Sequence, residues 1–116
     1  MEQPVERGRM LLVGWTTVGN REDANRLARG LVESRLAACV QIEGPVTSQY
    51  IWQNKVETTE EYRLTVKFIP ARAAAVETWL QEHHPYATPE WITVRAEHVA
   101  EKYLSWARTN CTSAPL

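Results

Sequence analysis

The changes of hydrophobic period along this 116-residue chain predict an α+β fold in the order β-α-β-β-α-β, closed by one further helix. Three observations carry that expectation. A helical stripe of Ala24, Leu27, Ala28, Leu31 and Val32 lies between an apolar run and a segment of period two. Two long β-rich segments then meet at Gln53-Asn54-Lys55. After Pro70 a second helical stripe leads into a second short strand.

Met10 to Val18 reads as the first strand, almost continuously apolar through Val13, as in a strand covered on both faces. Asn20 is placed to cap the helix that follows, with Asp23 three residues on as in a loose capping box. Arg21, Glu22, Arg29 and Glu33 fall opposite the apolar stripe, which makes that helix amphipathic. Ala38, Val40 and Ile42 then alternate with Cys39, Gln41 and Glu43. Gly44-Pro45 interrupts this strand; proline cannot donate to a ladder, so a bulge or bend is expected before Val46 to Trp52 resume. Asn54, tolerant of left-handed backbone, marks the turn. On the return strand Tyr62, Leu64, Val66 and Phe68 alternate with Arg63, Thr65 and Lys67. Pro70 suits the first turn of a helix whose buried side is Ala73, Val76, Leu80 and His83, flanked by Trp79. His84-Pro85 ends it, because a residue before proline is pushed out of the α region. Ile92 and Val94 mark the last strand, and Val99, Tyr103, Leu104 and Ala107 the final helix. Two βα units joined by a hairpin make a ferredoxin-like split β-α-β, a four-stranded sheet with both main helices on one face.

The expected organisation is a single domain over residues 9–109, with 1–8 and 110–116 as loose polar ends. With 44% hydrophobic and 23% charged residues, such a chain buries a core without disulfides. The two cysteines are far apart, and Cys39 sits in the apolar run 36–40, the setting of a reduced core thiol. Net charge is −1 with no Lys/Arg block, which argues against a dedicated nucleic-acid binder with a clustered basic face. No apolar stretch approaches the ~20 residues of a membrane span, and Met1 to Arg9 lacks the apolar core of a signal peptide. The expectation is a cytoplasmic protein with neither nucleic-acid nor membrane partners.

The hairpin over 38–69 is the unusual feature. Its strands run to roughly 15 residues against about 5–6 for an average strand, so its arms outreach a domain of this size. Tyr50, Ile51, Trp52 and Val56 place apolar surface at the tip, which calls for another subunit to cover it.

The segment His83-His84-Pro85-Tyr86-Ala87-Thr88-Pro89-Glu90 is the leading candidate site. Two prolines stiffen it, and imidazole with carboxylate suits Cu(II) or Zn(II). The alternative is a rigid helix-to-strand connection whose histidines cap carbonyls or fill gaps. Glu57, Glu60 and Glu61 read first as solvated charges near a hairpin turn, and Tyr103 with Trp106 as packing.

Four segments in order resemble the CutA family, over about Leu12 to Trp106. They are Leu36-Ala37-Ala38-Cys39-Val40, Val46-Thr47-Ser48-Gln49-Tyr50-Ile51-Trp52, the His84-to-Glu90 loop and Tyr103-Leu104-Ser105-Trp106. The resemblance implies a homotrimer of ferredoxin-like subunits, similar in architecture to PII signalling proteins, whose long hairpins wrap their neighbours. It also implies a role in tolerance to divalent cations, with copper binding in some members. His84 and Glu90 stand where ligands are proposed in the family, but the family's ligand cysteine is replaced by Thr16, and a hydroxyl is a poor substitute for a thiolate. Copper or another divalent cation is therefore expected to bind weakly, with no obligatory cofactor. Trp52, Glu61, Lys67, Tyr86 and Trp106 match further family positions and are candidates to line a cleft between subunits.

The reading that follows is a trimeric binding or regulatory protein of the metal response and not an enzyme. A PII-like sensor that takes a metabolite or anion at intersubunit clefts is the alternative within the same class. An enzyme on the ferredoxin-like fold is the alternative of another class, but no Ser/His/Asp or Cys/His set and no Gly-rich phosphate loop supports it. An RNA-binding domain of this topology would carry aromatics where the return strand has Arg63, Thr65 and Lys67.

Overall fold

Residues 10–111 are described by a computed structural model. In chain order the elements are β1 (Leu12–Val18), α1 (Arg21–Glu33), β2 (Cys39–Trp52), β3 (Lys55–Phe68), α2 (Ala73–His83), β4 (Ile92–Arg95) and α3 (Glu101–Asn110), with a 3-10 turn at Pro70–Arg72 before α2. The predicted order holds. Of the two ends expected to be loose, residues 1–8 and 112–116 lie outside the described residues. Asn110, placed in the loose end by the sequence, instead completes α3. Cys111 is buried, with its thiol 3.9 Å from the Leu36 carbonyl, because the apolar side of α3 carries it into the core. Burial raises the pKa of that thiol against the opposing effects of a backbone hydrogen bond with Ile69 and the charge of Arg72; a protonated thiol is a poor nucleophile.

Local chemistry sets the limits of α1. Asn20 is extended and its Oδ1 accepts from the Asp23 N–H at 2.7 Å, while its Nδ2 donates to Asp23 Oδ2 at 3.1 Å. One orphan backbone donor is thereby satisfied. At the other end Arg35 takes a left-handed φ of 59°, its N–H donates to Val32 O, and Leu36 N–H donates to Leu31 O. That is a Schellman stop, made here without the usual glycine.

The sheet is antiparallel throughout, in the order β2-β3-β1-β4. Cross-strand partners share a face, so Leu64, Val66 and Phe68 project to the same side as Thr16, Gly14 and Leu12. The helices cover this side: Leu27 and Leu31 of α1 join Val76 and Leu80 of α2 in one cluster with Val66 and Phe68. Two glycines permit the close packing. A Cβ on Gly14 would fall 2.4 Å from the Trp91 ring, which stacks on Phe68, and a Cβ on Gly30 would fall 2.5 Å from Trp79 of α2. The opposite face carries Val13 and Trp15 of β1 opposite Val94 and Ile92 of β4, with Ile92 and Val94 exposed. On that face Arg63 donates to Glu43 Oε1 across β2 and β3 at 2.8 Å.

β2 and β3, each 14 residues long, outlast β1. Beyond the Val18–Tyr62 pair they continue as a two-stranded arm from Val46–Glu61 to Trp52–Lys55, with a register shift between Glu43 and Val46 where Gly44-Pro45 was expected to bend the strand. Gln53 and Asn54, with φ of 50° and 65°, close the arm in the two-residue turn that suits the twist of a hairpin. At the tip Ile51 and Val56 are 73% exposed and Trp52 is 58% exposed.

Several expected core positions differ: Val32 of the α1 stripe is 38% exposed, and Cys39 is only partly buried, on the sheet face that the helices leave uncovered. His83 is exposed, stacked on Trp79 with centroids 4.1 Å apart and its Nδ1 2.7 Å from Trp79 O. The neighbouring His84 is buried instead. Pro85 forces His84 out of the helix, and the apolar stripe of α2 fails at its last residue. Tyr103 stays partly exposed, leaving Leu104 and Ala107 as the buried residues of α3.

Candidate functional site

Three segments meet where β1 ends and the arm begins. β1 contributes Thr16, wholly buried. The α2–β4 connection contributes His84, which adopts φ −71°, ψ 136° as the helix stops and is 9% exposed. β3 contributes Glu61, only 8% exposed, at the first position past the last pair with β1.

Hydrogen bonds join them. The Tyr86 N–H donates to His84 Nδ1 at 3.0 Å, and His84 Nε2 lies 2.9 Å from Thr16 Oγ1. An accepting Nδ1 carries no proton, so this network assigns the neutral ring as the Nε2–H tautomer, which donates to the threonine oxygen. The Tyr86 phenol points to the arm, where its O–H donates to Glu61 Oε2 at 2.7 Å; its ring centroid is 5.0 Å from that of His84. The loop is tied on one side to β1 and on the other to the base of the arm.

The electrostatics favour these neutral forms. Burial holds the His84 pKa below its ordinary value, a backbone hydrogen bond with Thr17 opposes that, the charge of Arg26 lowers it further, and Asp23 and Glu61 act upward. Burial also pushes the Tyr86 phenol up, reinforced by its hydrogen bond to Glu61 and by that carboxylate's charge. The phenol keeps its proton and acts as a donor.

The copper ion that the resemblance implies does not fit these residues within one protomer. Imidazole binds a metal through a free nitrogen lone pair. Here the Nδ1 pair faces the Tyr86 N–H, and Nε2 carries the proton given to Thr16. Glu90 does not join His84 either: it lines an open groove with Glu77, Leu80, Gln81, Thr88 and Trp91. Among the described residues no group of three His, Cys, Asp or Glu side chains is gathered as a metal site.

Of the cleft candidates, Glu61 and Tyr86 are joined by a hydrogen bond within one protomer. Glu61 is thus not the solvated turn charge its neighbourhood suggested, because Tyr86 covers it. Lys67 sits at the far end of β3, with its ammonium 5.7 Å from the centre of the Tyr103 ring, which lies 5.5 Å from Trp106. Trp52 pairs with Lys55 at the arm tip; twelve residues of strand separate Lys55 from Lys67, about 40 Å. Thr16 is the residue that sequence reasoning undervalued, treated as the loss of a ligand when it is a hydrogen-bond partner. Its signal was the strand period, which puts Thr16 on the covered face with Gly14 and Val18.

Fold and site together define a ferredoxin-like α+β protein with an extended β2–β3 arm braced at its base by the α2–β4 loop. The family model described as CutA1 divalent ion tolerance protein matches residues 12–110. The chain is 37% identical over 94 residues to the divalent-cation tolerance protein CutA of Thermus thermophilus, covering 81% of this chain and 91% of that one. It is 35% identical over 96 residues to a Protein CutA homolog of Xenopus laevis, where the match takes 83% of this chain and spans 64% of the relative's length. The crystal structure of the CutA1 protein from Oryza sativa superposes with a TM-score of 0.88 at 30% identity, over 94% of this chain and all of that one. The chain belongs to the CutA family of divalent-cation tolerance proteins.

Proposed function

We propose that this chain works as a homotrimeric, non-catalytic binding protein in the cytoplasmic response to divalent metal ions. The observation that carries the reading is the arm tip, where Ile51, Trp52 and Val56 stand largely in solvent on a ribbon only two strands wide. A two-stranded ribbon is marginal on its own, and an apolar tip of this kind marks an interaction surface. Ile92 and Val94, exposed on the uncovered sheet face, add a second such surface. The trimeric count rests on the resemblance to the CutA family. A binding role rather than catalysis is supported by the site: the Tyr86 hydroxyl is engaged by Glu61, His84 Nδ1 accepts from a backbone N–H, and among the described residues no nucleophile lies against a free base.

A PII-like sensor is the second reading. Glu61 and Tyr86 lie at the base of the arm, Lys67 and Trp106 flank Tyr103 at the far end of β3, and Trp52 lies at the arm tip, so a cleft shared by all five requires a neighbour's residues. A crystal structure of the assembled protein, grown with and without Cu(II), tests both. The proposal expects each arm tip packed on an adjacent protomer. Arms projecting into solvent would reject it, and an organic or anionic ligand between protomers beside Tyr86 would favour the sensor.

A further inference from the structure

The hydrogen bonds around His84 have a direction, and that direction determines what the residue can do. The amide of Tyr86 makes Nδ1 an acceptor, and Thr16 Oγ1, in a strand position with no exposure, takes the proton on Nε2. We infer that His84 is a positioning residue: held between the Tyr86 amide and Thr16 as the Nε2–H tautomer, it pins the first turn of the α2–β4 loop and aims the Tyr86 hydroxyl at Glu61, and this leaves neither ring nitrogen for a metal ion.

The geometry excludes the alternatives one at a time. A metal at Nε2 displaces the ring proton, and a neutral histidine then has no proton on either nitrogen unless it moves to Nδ1. A proton on Nδ1 would face the Tyr86 N–H at 3.0 Å, two donors opposed with no acceptor between them. A metal at Nδ1 would take the place of that same part-buried amide and remove its partner, which is costly. With only 9% of His84 exposed, there is also little room for the waters that would complete a two-ligand shell. The Tyr86 amide on Nδ1 selects the tautomer, and the Thr16 hydroxyl with the Thr17 backbone receives the proton left on Nε2.

The same arrangement explains the neighbouring contact. Tyr86 lies two residues past His84, across Pro85, so fixing the imidazole to the Tyr86 amide fixes the direction in which the phenol leaves the chain. The phenol reaches Glu61 Oε2 at 2.7 Å, just where β3 passes from the sheet into the arm. Thr16, His84, Tyr86 and Glu61 together connect the end of β1 to the base of the arm through the loop.

The test uses the full chain labelled with 15N. Long-range 1H–15N spectra of the histidine rings report tautomer directly, and the Tyr86 hydroxyl proton reports the bond to Glu61. The wild type is expected to show His84 as the Nε2–H form at neutral pH, unchanged by one equivalent of Zn(II) per protomer, with a slowly exchanging Tyr86 hydroxyl. His84→Ala should lose the slowly exchanging Tyr86 hydroxyl while keeping its circular dichroism, and His84→Asn, whose Oδ1 can accept from the Tyr86 N–H, should restore it. That rescue separates hydrogen bonding from packing. A metal-induced shift of the His84 ring nitrogens, or a His84→Ala protein with the wild-type Tyr86 hydroxyl signal, would overturn the inference.

Discussion

Replacing Trp52 by alanine separates the arm's role in assembly from its role in the protomer. The ring lies at the arm tip and is 58% exposed in the single chain, so its loss should scarcely affect the folding of one protomer. If a neighbour covers it, the exposed part is buried on assembly. A tryptophan presents up to about 250 Å², so roughly 140 Å² would be covered, worth about 3.5 kcal/mol per protomer at ~25 cal/mol per Å². Three symmetric copies bring the loss to about 10 kcal/mol on trimer formation, or roughly seven decades in the association constant. Sedimentation velocity across a dilution series reads this directly. The variant should dissociate at concentrations where the wild type stays assembled, with its far-ultraviolet circular dichroism retained. A Trp52→Ala protein of unchanged mass and melting temperature would refute the argument, because the ring would then be as exposed in the assembly as in the protomer.

Other expected outcomes follow from particular contacts. Gly30→Val drives a side chain into the Trp79 ring, where even a Cβ would sit at 2.5 Å; overpacking of this kind should cost about 1–3 kcal/mol, read by urea denaturation. Because burial depresses the His84 pKa, the unfolded chain takes up that proton first. The contribution of His84 to stability is therefore fully present above about pH 6.5 and is lost as pH falls from there through the lower folded value. Melting temperatures of wild type and His84→Gln, followed from about pH 7.5 to about 5, should fall more steeply for the wild type; parallel curves would show that His84 carries no such linkage. Acyl phosphates should be hydrolysed only at the background rate, and activity that copurifies with the protein and disappears in Glu61→Gln would make that carboxylate catalytic.

Much of the fold was legible because each element announces itself by a local rule. Asn20 and Asp23 mark the start of α1, Gly44-Pro45 the break in register within β2, and Asn54 the hairpin turn, each by chemistry confined to a few residues. The length of the arm was legible from period alone. Less legible was whatever depends on where an element stops. His83 and His84 exchange roles because the last residue of α2 faces solvent while His84, pushed out of the helix by Pro85, turns inward, and Cys111 is buried because α3 runs to Asn110. At the site, the residue types were visible but their partners were not. Sequence places Thr16 and His84 sixty-eight positions apart, and nothing in a linear reading indicates that the hydroxyl faces the imidazole. Glu61 appeared solvated because its sequence neighbours Glu57 and Glu60 are acidic; Tyr86, distant in sequence, buries it. The mutual distance of His84 and Glu90 likewise depends on how the two prolines fold the loop between them.

The account depends most on the arm having a partner of its own kind. Multi-angle light scattering of the wild-type chain at micromolar concentration measures this without a label or a ligand. The account predicts a single species of three times the 13.3 kDa protomer mass, unchanged on tenfold dilution. A species of the protomer mass at that concentration would contradict it.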